Sequence, residues 1–303
     1  MTDQPSSHHL DVPGGRLAYD VRGSGPLLLV VGQPMTAGAF GALAEQLAED
    51  RTVVTYDPRG LGRSTVADPA SALTPDVQAD DLAALVGALG GGPVDVFGTS
   101  GGAIAGLALV ARHPGLVGTL VAHEPPVTEL LDDAPHVRDA VDRVEDAYRS
   151  GGAPAGWGAF VSLVVHEGPV PEGGVPAAGW PPPGHPAPEG EHGENGEHGG
   201  EGQDAPPAPP EPAAEPGGDD ELFFLRTLKP LTRYQPELDA LGAGGARVVV
   251  AVGEASQQEL AVRSARALAA RLGAAPVPLP GDHAGFLADP AAFAARLEAA
   301  LRP

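Results

Sequence analysis

The chain has no cysteine in 303 residues, which excludes a disulfide framework, a thiolate metal site and a cysteine nucleophile. Aromatic residues are scarce at 4%, and so are bases, with 18 Lys and Arg against 40 Asp and Glu. The resulting net charge of −22 argues against nucleic acid and anionic membrane surfaces as partners, because phosphates must be met by Lys and Arg. No apolar run approaches the roughly 20 residues that span a bilayer, so no membrane span is expected. The segment 1–11 is polar and has neither the basic nor the apolar region of a signal peptide, so a soluble, cytoplasmic protein is expected.

Glycine and proline, by contrast, are abundant, with 43 Gly and 34 Pro. They concentrate in residues 167–221, where 27 of 55 residues are Gly or Pro, 13 are acidic and none is Lys or Arg. Val170 and Val175 are the two branched aliphatics there, too few to offset the entropy of ordering, and a disordered, low-complexity insertion is expected. Its His185, His192 and His198 sit on a flexible Gly-rich tract with no preorganised site, so they read as part of a solvated acidic linker and no metal is expected. Without this tract, 27 acids face 18 bases, a net of −9, and the remainder is only moderately acidic.

Outside the insertion, short apolar runs alternate with helical patterns. Strands are expected at 17–21, 27–31, 52–56, 94–97, 118–123, 248–252 and 276–279, with helices at 39–48, 77–89, 101–113, 256–272 and 290–301. Near-continuous apolar strands separated by helices indicate a mostly parallel sheet covered on both faces. The alternation breaks at 127–240, where helical pieces at 134–149, 155–166 and 222–228 flank the insertion. Residues 1–126 and 241–303 therefore read as an α/β core and 127–240 as a helical cap over the carboxyl ends of the strands, where open α/β sheets bind ligands.

One motif carries chemistry. Gly98-Thr99-Ser100-Gly101-Gly102 follows the strand pattern Val94–Phe97 and precedes the helical run that starts at Ala103. In that context a G-x-S-x-G forms a strained turn that lifts the serine clear of the sheet; without it, the same residues would be a Gly-rich turn capping a helix. A serine hydroxyl is a weak nucleophile until a base takes its proton, and histidine suits that task near neutrality. Of the ten histidines, His283 alone follows the last strand pattern and precedes the last helix. His8 and His9 fall in the N-terminal tail, His113 ends a helix, and His136 and His166 lie in the cap.

Three further segments join this motif. These are Val31-Gly32-Gln33-Pro34, the stretch Tyr56-Asp57-Pro58-Arg59-Gly60-Leu61-Gly62-Arg63-Ser64 and Gly281-Asp282-His283-Ala284-Gly285-Phe286. In this order and spacing the four resemble the α/β-hydrolase superfamily, across nearly the whole chain except 167–221. The resemblance implies an α/β-hydrolase fold with Ser100 as nucleophile, His283 as base, and the amides of Gln33 and Gly101 as an oxyanion hole. It implies no cofactor and a small-molecule substrate. Asp57 and Arg59 read as loop-holding residues.

The third catalytic group departs from the commonest form of that family, in which an aspartate follows the strand here at 248–252. Ser256 stands in that slot. Some branches carry the acid after the preceding strand, where this chain has Ala122-His123-Glu124-Pro125-Pro126. Glu124 keeps the order Ser, acid, His and is the expected acid; Glu254 is the alternative. The expected activity is cleavage of an ester or other acyl bond through an acyl-enzyme. A cofactor-free perhydrolase resembling the haloperoxidases and a non-catalytic hydrolase-fold binding protein remain the alternatives, and oligomeric state and substrate identity are open.

Overall fold

The computed structural model describes residues 4–176, 218–243 and 245–302. Its first half runs β1 (Ser6–Val12), β2 (Gly15–Arg22), β3 (Leu27–Val31), α1 (Gly41–Leu47), β4 (Thr52–Tyr56), β5 (Thr65–Val66), α2 (Pro75–Ala88), β6 (Val94–Thr99), α3 (Gly101–Arg112) and β7 (Val117–His123). Next come α4 (Ala134–Val164), α5 (Gly218–Leu222), a π-helical turn (Phe223–Thr227), α6 (Leu228–Thr232) and α7 (Leu238–Ala243). The chain closes with β8 (Arg247–Gly253), α8 (Leu260–Arg271), β9 (Val277–Leu279), α9 (Gly285–Ala288) and α10 (Pro290–Leu301).

The strands form one sheet in the order β1-β2-β4-β3-β6-β7-β8-β9, with β5 beside β2. From β4 through β9 all pairs are parallel, and β1 and β2 are antiparallel additions at one edge. This is the α/β-hydrolase fold. The two-residue period of a strand divides the apolar side chains between two cores. Leu29 and Val31 of β3 face α2, α3 and α8, whereas Leu28 and Val30 face α1 and α10.

The sequence pattern misses two strands. β1 reads as a polar tail because all but two of its residues are exposed, yet each of its seven residues pairs with β2, from Ser6 opposite Val21 to Val12 opposite Gly15. β5 is two residues long, too short to show a period. The two expected cap helices at 134–149 and 155–166 are one element, α4, broken at Gly152, whose φ of 68° and ψ of −164° interrupt the helix.

Most of the expected insertion, residues 177–217, lies outside the described residues. Its expected boundaries require correction, because 167–176 and 218–221 are folded parts of the region between β7 and β8. Val170 is buried, its N–H donates to Asp133 Oδ2 at 2.6 Å, and Arg263 of α8 both donates to Gly168 O at 2.6 Å and pairs with Asp133. On the other side Asp219 accepts from the Gly62 amide at 3.0 Å and Asp220 from Trp157 Nε1 at 2.9 Å. Composition summed over 55 residues hides such contacts, since one buried valine on one flank and two carboxylates on the other are enough to fasten them.

A paired deletion tests this boundary. Replacing 178–216 with a short Gly-Ser linker should leave the melting temperature within a few degrees of the parent, since long loops add little closure entropy. Extending the deletion to 170–218 removes the buried Val170 and should lower stability by about 1.5–3 kcal/mol. Equal melting temperatures for the two deletions would show that the Val170 flank contributes nothing.

Candidate active site

Ser100 sits between β6 and α3 with φ 54° and ψ −128°, a conformation that side chains other than glycine rarely adopt. Strain of this kind costs about 1–3 kcal/mol and persists where the surroundings enforce it. The enforcement is steric. A Cβ at position 98 would lie 2.8 Å from Ala103 Cα, and one at 102 would lie 2.2 Å from Val31 O, so glycine at both positions lets helix, strand and turn meet. The Ser100 N–H is held by His123 O at 3.0 Å, which ties the turn to the end of β7.

Glu124 follows β7, also at positive φ (46°), and is fully buried. Its Oε1 accepts the Gly253 amide at 2.8 Å, and its Oε2 lies 2.6 Å from His283 Nδ1. Burial pushes the Glu124 carboxyl up, but the bond to His283, the charges of His123 and His283 and the Gly253 amide outweigh it and hold the pKa down to about 2. Glu124 is therefore an anion at neutral pH. Its contact orients His283 and leaves the imidazole's other nitrogen free to act, with the side chain 44% exposed. Glu254 lies elsewhere: it is exposed, and its carboxylate makes no hydrogen bond or ion pair among the described residues. Ser256, in the slot where the commonest form of the family has an aspartate, is buried.

Gln33 and Gly101 are neighbours, since a Cβ on Gly101 would be 2.9 Å from the Gln33 Cβ. Gly101 opens α3, so its amide lies among those without an intrahelical acceptor, and the Gln33 amide donates to no group among the described residues. The Gln33 side chain is buried as well, and its Oε1 has no partner among the described residues. Asp57 and Arg59 are occupied beneath the loops. Asp57 accepts from the amides of Ala37 (2.8 Å) and Arg63 (3.0 Å), and Arg59 pairs with Asp81 and donates to Pro13 O. Three other histidines have hydrogen-bond partners of their own: His113 with Asp80, His136 with Val170 O and His166 with Pro169 O.

Ser100, Gly101, Gln33, Glu124 and His283 line one cavity of about 530 Å³. Its opposite wall is apolar and comes from the helices between β7 and β8, including Trp157, Phe160, Leu163, Phe223 and Leu228. The aromatic pair Trp157 and Phe223 stacks at 5.4 Å, and Phe224 packs behind them, fully buried. The sequence pattern leaves open whether these side chains line a pocket or pack the helices together, and they do both.

The α/β hydrolase fold family matches residues 25–189, more than half of the chain. This chain therefore belongs to the α/β-hydrolase family. An uncharacterized hydrolase of Bacillus subtilis is 42% identical over 123 residues, covering 40% of this chain and 45% of that protein. A 2-(acetamidomethylene)succinate hydrolase of Mesorhizobium japonicum is 30% identical over 154 residues, covering 50% of this chain and 51% of its own. The chain thus spans about half or less of the length of these curated relatives. Among solved structures, a thermophilic esterase of Thermogutta terrifontis shares the fold at a TM-score of 0.65 and 19% identity, with 99% of this chain and 98% of that one covered.

No helix among the described residues is long and apolar enough to cross a membrane, and no group of three or more His, Asp or Glu among them is placed to hold a metal ion.

Proposed function

We propose that this chain is a serine hydrolase that cleaves an ester or related acyl bond of a small, uncharged molecule through an acyl-enzyme. The observation that carries this reading is the 2.6 Å contact of His283 Nδ1 with the buried Glu124 anion, in the same cavity as the strained Ser100. Ser100 Oγ attacks the acyl carbon while His283 Nε2 takes the hydroxyl proton. Glu124 stays ionised, fixes the Nδ1–H tautomer and stabilises the imidazolium. The amides of Gln33 and Gly101 receive the developing oxyanion. His283 returns the proton to the leaving alcohol as the carbon–oxygen bond breaks. Water then attacks the acyl-enzyme, again giving its proton to His283, and Ser100 is restored as the acid departs.

The charge of the substrate follows from the cavity lining. Among the described residues that lining holds three carboxylates, Glu124, Glu259 and Asp282, and no Lys or Arg. Residues 177–217 contain no Lys or Arg either, so they bring no permanent cation to the site. A substrate carboxylate there would be desolvated against Trp157 and Phe223 with no cationic partner.

Steady-state kinetics with two nitrophenyl esters of equal chain length test both parts. Nitrophenyl hexanoate should be turned over with a kcat/KM at least about 100-fold above that of the nitrophenyl monoester of adipic acid, because an unpaired buried charge costs several kcal/mol. Equal values would contradict the uncharged-substrate assignment. Turnover of neither ester would count against acyl hydrolysis itself.

A further inference from the structure

His123 has no part in the steps above, yet it touches all three residues that do. Its carbonyl accepts the Ser100 N–H, its Nε2 lies 3.9 Å from Glu124 Oε1, and its ring stacks on that of His283 with centroids 5.9 Å apart and planes 23° from parallel. It is fully buried, with Phe97 and Phe293 against its other sides. We propose that His123 is a positioning residue that steadies Oε1 of Glu124 with an N–H and backs the ring of His283. The inference rests on the Ser100–His283–Glu124 reading.

The tautomer decides how this works. His123 Nδ1 is 3.0 Å from Thr99 Oγ1, whereas its Nε2 has no hydrogen-bond partner among the described residues. If Nδ1 carried the proton, the bare lone pair of Nε2 would face the Glu124 anion, a repulsive arrangement. With Thr99 Oγ1 donating to Nδ1, the proton sits on Nε2 and its dipole points at Oε1. At 3.9 Å the contact is longer than a hydrogen bond, so it acts as an oriented dipole in a low-dielectric setting. Gly253 N–H holds the same oxygen directly, which leaves Oε2 for His283.

The titratable groups facing His123 are Glu124 beside it, and His283 and Asp282 from the loop after β9; β6 and α10 present the uncharged Phe97, Thr99 and Phe293. Burial, reinforced by His283 and opposed by Glu124 and Asp282, lowers the His123 pKa to about 4. At neutral pH it is thus uncharged when His283 becomes an imidazolium, so the stacked rings do not carry like charges there.

The test uses the full chain and nitrophenyl hexanoate. His123→Phe keeps a ring of similar shape and removes both nitrogens; it should lower kcat about 10- to 30-fold while KM stays within about twofold, as expected for support realised in the transition state. His123→Gln, which retains an N–H donor, should recover most of that loss. Thr99→Val should lower kcat severalfold in the parent and not at all in the His123→Phe background, because it acts through the imidazole. A His123→Phe kcat within about twofold of the parent, or equal losses for Phe and Gln, would overturn the proposal. If His123→Phe does not fold, Thr99→Val decides alone, and an unchanged kcat overturns it. Ser100→Ala separates the two levels: retained turnover there would remove the triad reading itself, whereas abolished turnover with a fully active His123→Phe would remove only this inference.

Discussion

Ser100→Ala and His283→Ala should each lower turnover of nitrophenyl hexanoate by about 10³-fold or more, since the members of a catalytic unit act together. The two should differ in stability. Alanine adopts the backbone of Ser100 as readily as serine does, and the lost hydroxyl makes no hydrogen bond among the described residues, so the Ser100→Ala melting temperature should equal that of the parent. His283→Ala removes the partner of a buried anion. Glu124 keeps only the Gly253 amide as a direct hydrogen-bond donor, and an unsatisfied buried acceptor costs about 1–3 kcal/mol, so this variant should melt several degrees lower. Calorimetry and steady-state kinetics on the same preparations read both effects. Near-parent turnover of Ser100→Ala would remove the nucleophile from the mechanism.

Glu124→Gln should cost about 10²–10⁴-fold in kcat, because an amide neither enforces the Nδ1–H tautomer nor stabilises the imidazolium. Glu254→Gln should stay within about twofold of the parent, as surface substitutions away from a site usually do. The reverse ranking would move the acid to the β8 end. The same carboxylate also links stability to pH. Its folded pKa, about 2, lies below its ordinary 4.5, so its contribution is fully present above pH 4.5 and is lost as pH falls toward 2. In Glu124→Gln that part of the acid-side slope should disappear from melting temperatures measured between pH 5 and 2.

Much of the architecture is legible in the sequence because the parallel strands are buried on both faces and read as apolar runs. β3 and β4 fall at their expected residues, and β6 runs two residues further than its apolar stretch, into Gly98-Thr99 of the serine turn. β1 escapes because an edge strand with exposed Ser6, Ser7, His8 and His9 has no apolar face to betray it, although Pro13-Gly14-Gly15 marks the turn that follows. The Val170 flank escapes because its anchors, Asp133 and Arg263, are remote in sequence.

The candidate site divides in the same way. Ser100 and His283 stand in local motifs, whereas Glu124 and Glu254 both fall between them in the chain, and Glu124 is favoured only by the strand-end position that some branches of the family use. His123 carries no such mark. Its placement depends on the β6–β7 register, which sets Thr99 opposite His123, and on the β9 loop that brings His283 over it. No spacing along the chain reports a pairing of that kind.

Whether Ser100 is an activated nucleophile is read out by its reaction with a fluorophosphonate followed by peptide mapping. Stoichiometric phosphonylation of Ser100 is expected, slowed at least about 10²-fold in Glu124→Gln and abolished in Ser100→Ala. An unlabelled chain that still binds nitrophenyl hexanoate, or a label on any other residue, would contradict it.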